Sequence, residues 1–168
     1  MAEDRTNPPT ALIVCVSEHH GNTRRVADAL AEVLQAEVVE PEDVGVSDLP
    51  RYDLVGIGSG IYFGAADRRL VELVDRLPPG AGRAAFTFST SGMFLIPWMG
   101  MSSVRDRLRH KGYKVLGDFN CRGFDTVGPL RFLGGLNRGR PNHGDLARAK
   151  LFAREARVRA TSASVTTT

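Results

Sequence analysis

The sequence predicts a doubly wound α/β domain, a parallel sheet of five strands with helices on both faces. Three observations support this fold class. Short apolar runs alternate with segments that have helical spacing of apolar residues, and polar loops containing glycine follow several runs. A length of 168 residues suffices for one domain with a full core. We expect a single domain over residues 10–159 and a disordered tail at 160–168.

The first strand is the clearest element in the pattern. Ala11 to Val16 is a continuous apolar run, typical of a strand that is covered on both faces of a parallel sheet. Further strands are expected at 37–40, 54–57, 84–88 and 113–120. Helices are expected at 22–36, through 70–77, at 102–110 and at 144–157. The stretch 122–141 is rich in glycine and arginine and is expected to be irregular.

The composition excludes several classes of protein. Charged residues make up 24% and hydrophobic residues 42%, as in ordinary soluble domains. No apolar run approaches the roughly 20 residues of a membrane helix, and residues 1–9 lack the apolar core of a signal peptide. We therefore expect a cytoplasmic protein with no membrane partner. Cys15 and Cys121 lie in apolar stretches without metal-ligand spacing, which predicts buried, reduced thiols.

The net charge of +3 hides an asymmetry between the two parts of the chain. Residues 1–121 carry 13 Lys or Arg and 16 Asp or Glu, whereas residues 122–168 carry 9 and 3. Few aromatic residues lie among the C-terminal arginines, which argues against a nucleic-acid groove. The basic part is either a solvated face or a docking strip for an acidic partner.

Three polar loops are expected to meet at one edge of the sheet. In an open parallel sheet, ligands bind beyond the carboxyl ends of the strands, where the strand order reverses. The loops that follow strands one, three and four are all rich in Gly, Ser and Thr. The candidate binding residues are Ser17, His19, His20, Gly21, Asn22 and Thr23 in the first loop, Ser59, Gly60, Ile61, Tyr62, Phe63 and Gly64 in the second, and Ser89, Thr90, Ser91 and Gly92 in the third.

The first loop precedes a helix, where backbone N–H groups and the positive end of the helix dipole favour a phosphate. Gly21 permits close approach of the backbone. The alternative is an N-capping turn without a ligand. The loop matches neither a Walker A motif nor the G-x-G-x-x-G fingerprint. His19 and His20 are adjacent, point in different directions and lack a third ligand, so we predict no metal site.

The second and third loops suit a planar ring system. Tyr62 and Phe63 supply flat faces that can sandwich such a ring, although capping of the core is the alternative. The third loop offers hydroxyls and amides for a polar ring edge. Neither Ser59 nor Ser91 lies in a G-x-S-x-G elbow, so a serine nucleophile is not expected. We predict no catalytic residue.

Together these residues resemble the flavodoxin family over about residues 11–157. The most specific match is Gly21-Asn22-Thr23 directly after an apolar first strand. The resemblance implies a flavodoxin-like strand order 2-1-3-4-5, FMN as cofactor with its phosphate at 17–23, and electron transfer to a redox partner protein. Flavodoxins mostly have Ser and Thr where this chain has Glu18, His19 and His20. Glu18 is therefore expected to point away from the phosphate.

The segment 122–141 departs from small electron carriers and leaves alternatives open. Phe124 either covers the flavin ring or belongs to a surface tether of the last helix. Positive charge in this segment favours an acidic or phosphorylated partner. One alternative function is an FMN-dependent oxidoreductase that takes hydride from NAD(P)H and reduces a quinone-type acceptor. The other is a scaffold domain without a cofactor. Candidate phosphate ligands for the oxidoreductase are Arg122, Arg131, Arg138 and Arg140.

Overall fold

The strands form one parallel sheet, in which the first strand pairs with the second and the third. The computed structural model describes residues 9–18, 20–61, 63–92, 100–123 and 137–165. Within these residues, one sheet has the order β2-β1-β3-β4-β5, and every neighbouring pair is parallel. The predicted fold class and the order 2-1-3-4-5 are confirmed. The strands are β1 (Ala11–Val16), β2 (Glu37–Val39), β3 (Leu54–Gly60), β4 (Ala84–Ser91) and β5 (Lys114–Arg122).

Helices cover both faces of the sheet. In the described residues these are α1 (Asn22–Leu34), α2 (Arg68–Arg76), α3 (Ser102–His110) and α4 (His143–Val165). Helices α1 and α4 contribute to the apolar cluster on one face, and α2 and α3 to the cluster on the other. Short 3₁₀ segments at Pro41–Asp43 and Val46–Arg51 connect β2 to β3.

Strand β1 lies between the two apolar clusters. Ile13 and Cys15 pack with α1, whereas Leu12 and Val14 pack with α2 and α3. All six residues of β1 are buried. This accounts for the continuous apolar run, because alternate side chains of a strand point to opposite faces.

Strands β3 and β4 extend further than the sequence pattern predicts. The expected ends were residues 57 and 88, but the strands continue to Gly60 and Ser91. The rings of Phe86 and Phe88 lie so close to Gly56 and Gly58 that a Cβ at either glycine would be 2.4 Å from a ring carbon. A residue with a Cβ would clash with these rings, so positions 56 and 58 favour glycine. Strand β3 continues through both positions although glycine has a low strand propensity. Five candidate residues, Ser59, Gly60, Ser89, Thr90 and Ser91, consequently lie in strands rather than loops.

The predicted disordered tail is wrong over residues 160–165. Helix α4 continues to Val165, and residues 166–168 lie outside the described residues. Ala149, Ala153, Ala156 and Ala160 are at most 2% exposed and recur at intervals of three and four residues. This alanine stripe keeps one face of α4 buried as far as Ala160, so packing supports the helix beyond its expected end at residue 157.

Two further observations concern membrane-spanning helices and the cysteines. No helix in the described ranges combines the length and apolar character needed to cross a membrane. Cys15 and Cys121 are free and buried, so the prediction that both thiols lie in the interior is confirmed.

Candidate functional site

The three loops meet at the carboxyl edge of the sheet. The hydroxyl oxygens of Thr23 and Thr90 are 2.8 Å apart, which joins the first turn of α1 to the end of β4. The backbone N–H of Ile61 donates to the carbonyl oxygen of Thr90 at 2.9 Å, which joins the end of β3 to the same residue. Thr90 therefore links all three predicted loops through buried contacts at one edge of the sheet.

The first loop turns sharply into α1. His20 and Gly21 both have left-handed backbone angles, with φ of 56° and 63°. A Cβ placed on Gly21 would meet no atom within 4 Å, so the space beside this backbone is open. The first turn of α1 carries no acidic side chain. The arrangement provides backbone N–H groups and a positive helix end beside an open space, which suits an anion.

The side chain of Ser17 connects this turn to the start of α1. Its hydroxyl oxygen accepts a hydrogen bond from the backbone N–H of Arg24 at 3.1 Å. The hydroxyl thus satisfies one of the donors at the start of α1. Asn22 and Thr23 are 7% and 2% exposed. His19 lies outside the described residues.

The second loop separates into a buried part and an exposed part. Ser59 is fully buried; its hydroxyl donates to the carbonyl of Gly60 at 2.9 Å and accepts from the N–H of Asp67 at 3.2 Å. Phe63 is 98% exposed, so its ring does not cap the core. Phe63 and Gly64 have φ of 53° and 80°, and this turn presents the ring to solvent. Tyr62 lies outside the described residues.

Two asparagines outside the predicted set of binding residues support the third loop. The side-chain amide of Asn120 donates to the hydroxyl oxygen of Ser89 at 2.8 Å. The amide of Asn137 donates to the carbonyl oxygen of Gly92 at 2.8 Å. Asn137 has φ of 59°, a conformation that asparagine tolerates better than most residues. In the sequence, Asn137 lies in a Gly-rich stretch, which indicates a turn. That pattern does not indicate the contact of its side chain with Gly92.

The arginine-rich segment is described at its two ends only, residues 122–123 and 137–141. The backbone N–H of Gly123 donates to the carbonyl of Ser91 at 3.0 Å, so β5 ends beside the third loop. Asn137 contacts the same loop through Gly92. Phe124 and Arg131 lie outside the described residues, and their predicted roles stay predictions.

A buried carboxylate anchors the end of this segment to α4. Asp145 is 2% exposed and accepts hydrogen bonds from Arg140 at 2.7 Å, from Arg148 at 2.8 Å and from the N–H of Asn142 at 3.0 Å. Burial alone raises the pKa of Asp145, but these donors outweigh it and hold the pKa below its usual value. Arg140, a candidate ligand for nicotinamide phosphates, is thus engaged within the protein.

Comparisons with known proteins agree with this architecture. A family described as flavodoxin domain matches residues 13–93. An uncharacterised protein of Methanocaldococcus jannaschii is 38% identical over 144 residues, covering 86% of this chain and 95% of that protein. Oxidised flavodoxin 2 from Bacillus cereus has a TM-score of 0.69 at 17% identity and covers 89% of this chain and 99% of its own. An archaeal flavodoxin has a TM-score of 0.66 at 16% identity, with coverage of 90% and 99%.

Proposed function

The chain belongs to the flavodoxin family, and from this membership we propose that it binds FMN at the carboxyl edge of its sheet and transfers electrons. The convergence of the three loops on Thr90 is the observation that carries the proposal. A phosphate site and a ring site must be contiguous to hold one cofactor. The contacts of Thr90 give that continuity, because the same residue touches the first turn of α1 and the end of β3.

The residues of the first loop fit a phosphate group. Open space beside Gly21 and the absence of an acid in the first turn of α1 leave room and favourable potential for a dianion. Backbone N–H groups of Gly21, Asn22 and Thr23 are the proposed donors, and His19 and His20 are proposed to add imidazole donors. Ser17 takes part by fixing the start of the helix through its contact with Arg24.

The second and third loops are proposed to hold the flavin ring. Phe63 is a large exposed aromatic side chain at this edge, and its flat face is available to stack on a planar ring. Tyr62 and Phe124 are proposed as further contacts of the ring faces. Backbone groups of Gly60, Ile61, Gly64 and Gly92 are proposed to meet the polar edge. Ser59 and Ser89 support these backbone positions through their buried hydroxyls.

When bound, FMN supplies transfer of one or two electrons through its ring. The protein's own residues bind the cofactor, exclude water from it and set its electrostatic surroundings. No side chain is required to act as an acid or a base. Arg138 is exposed and directly follows Asn137, whose amide contacts Gly92. We therefore propose that the redox partner presents an acidic surface to this edge.

An absorbance titration with FMN, followed by rapid mixing with NADPH, tests the proposal. We expect the flavin spectrum to change on binding with one FMN per chain, and we expect the bound flavin to be reduced only slowly by NADPH. A spectrum identical to that of free FMN would favour the scaffold alternative. Fast bleaching by NADPH without a separate reductase would favour the oxidoreductase alternative instead.

A further inference from the structure

Glu18 places a negative charge inside the proposed phosphate loop. It directly follows Ser17, whose hydroxyl contacts the start of α1. A carboxylate near a bound phosphate is unfavourable, because like charges repel strongly where water is partly excluded. In the structure, one oxygen of Glu18 accepts a hydrogen bond from Arg69 at 2.7 Å. The carboxylate is therefore held against α2.

Arg69 is fixed in place by its own helix cap. Its Nε and one terminal nitrogen each lie 3.1 Å from the carboxylate of Asp67, one on each oxygen. Asp67 caps α2 by accepting the backbone N–H of Arg69 at 2.9 Å, and its own N–H donates to the hydroxyl of Ser59. This two-point contact fixes the plane of the guanidinium more firmly than a single bond would. The same terminal nitrogen also donates to Glu18, so Arg69 joins α2 to the first loop.

One positive charge, that of Arg69, faces three negative ones. A third carboxylate, that of Glu42, lies 3.7 Å from the guanidinium. Arg69 thus faces the carboxylates of Glu18, Glu42 and Asp67. Removing this one positive charge would take from all three carboxylates the cation that they share.

We propose that Arg69 sets the preference of this site for a phosphorylated flavin over the unphosphorylated one. Arg69 neutralises Glu18 and holds it away from the N-terminus of α1, so the helix end keeps its positive potential for a dianion. Arg69 is a positioning residue, because it acts through Glu18. The inference rests on the proposed FMN function.

Binding of FMN and of riboflavin to Arg69→Ala tests this role. The two ligands share the ring, and only FMN carries the phosphate. At low ionic strength we expect the variant to bind FMN about tenfold more weakly, with riboflavin affinity changed less than about twofold. Arg68→Ala is the matched control, because Arg68 is the adjacent arginine, also pairs with a glutamate on α2 and is 88% exposed. It should change neither affinity.

A second substitution separates charge from structure. Glu18→Gln added to Arg69→Ala removes the acid that the arginine neutralises, and we expect it to restore most of the lost FMN affinity. Arg69→Gln serves the same comparison if the alanine variant is too unstable, since it keeps a donor for Asp67. Equal losses for FMN and riboflavin, or no rescue by Glu18→Gln, would overturn the inference alone. Failure of the parent protein to bind FMN would overturn the proposed function, and this inference with it.

Discussion

The hydroxyls of Thr23 and Thr90 contact each other at 2.8 Å, although 67 residues separate them in the chain. Thr23 is 2% exposed and Thr90 is 4% exposed, so the contact is shielded from water. It joins the first turn of α1 to the end of β4. The start of the helix and the neighbouring strand end are therefore positioned together, which is what a cofactor that spans both requires.

The threonine pair should show coupled energetics. Thr23→Val or Thr90→Val leaves one buried hydroxyl without its partner, and each single change is expected to lower the free energy of unfolding by about 1–2 kcal/mol. The double variant should lose less than the sum of the two, since no hydroxyl is then stranded. Urea unfolding of the four proteins measures this coupling. Strictly additive losses would mean that the two hydroxyls do not depend on each other.

The two cysteines should resist modification in the folded protein. Burial raises the pKa of both Cys15 and Cys121 to about 12. At pH 8 only about one ten-thousandth of each thiol would be ionised, and the thiolate is the reactive form. We expect very slow reaction with a disulfide reagent in buffer and fast reaction of two thiols in denaturant. Rapid labelling of either thiol in the folded protein would contradict the buried placement.

Asp145 should stabilise the fold in a pH-dependent way. Its pKa is lowered in the folded state, so its contribution is fully present above the unfolded pKa of about 3.9 and is lost as the pH falls through the folded value. Asp145→Asn is expected to lower the free energy of unfolding by about 2 kcal/mol at neutral pH. The difference from the parent should shrink below about pH 4. Urea unfolding at several pH values measures both effects.

The control for this prediction is Asp106→Asn. Asp106 also pairs with an arginine three residues away, but its side chain is 62% exposed. Such surface pairs contribute little, so a change below about 0.5 kcal/mol at every pH is expected. Equal losses for the two variants at neutral pH would show that burial of Asp145 does not strengthen its contacts.

The sequence was sufficient for the order of the elements and for the edge of the sheet where the loops meet. Apolar runs such as Ala11–Val16 are long enough to identify strands, and parallel α/β topology then places the loops. It was insufficient where packing decides local structure. The continuation of β3 through glycines depends on Phe86 and Phe88 in another strand. The continuation of α4 from residue 157 to Ala160 depends on burial of Ala160, which composition does not reveal.

The site was predictable as a set of loops, but its internal contacts were not. Gly, Ser and Thr at the strand ends indicate where we propose that a ligand binds, whereas the partners of each hydroxyl depend on distant residues. Ser59 and Ser89 contact Asp67 and Asn120, which no local pattern connects to them. The contact of Glu18 with Arg69 spans 51 residues for the same reason.

The central claim is that the phosphate of FMN lies beside Gly21, and FMN titration of Gly21→Glu tests it most directly. Gly82→Glu is the matched control, because Gly82 also has a positive φ, 79°, and open space around its Cβ position, but it precedes β4 at the opposite edge. Both variants carry similar backbone strain. We expect Gly21→Glu to abolish FMN binding and Gly82→Glu to bind FMN like the parent. Unchanged FMN affinity in Gly21→Glu would contradict the proposed location of the phosphate.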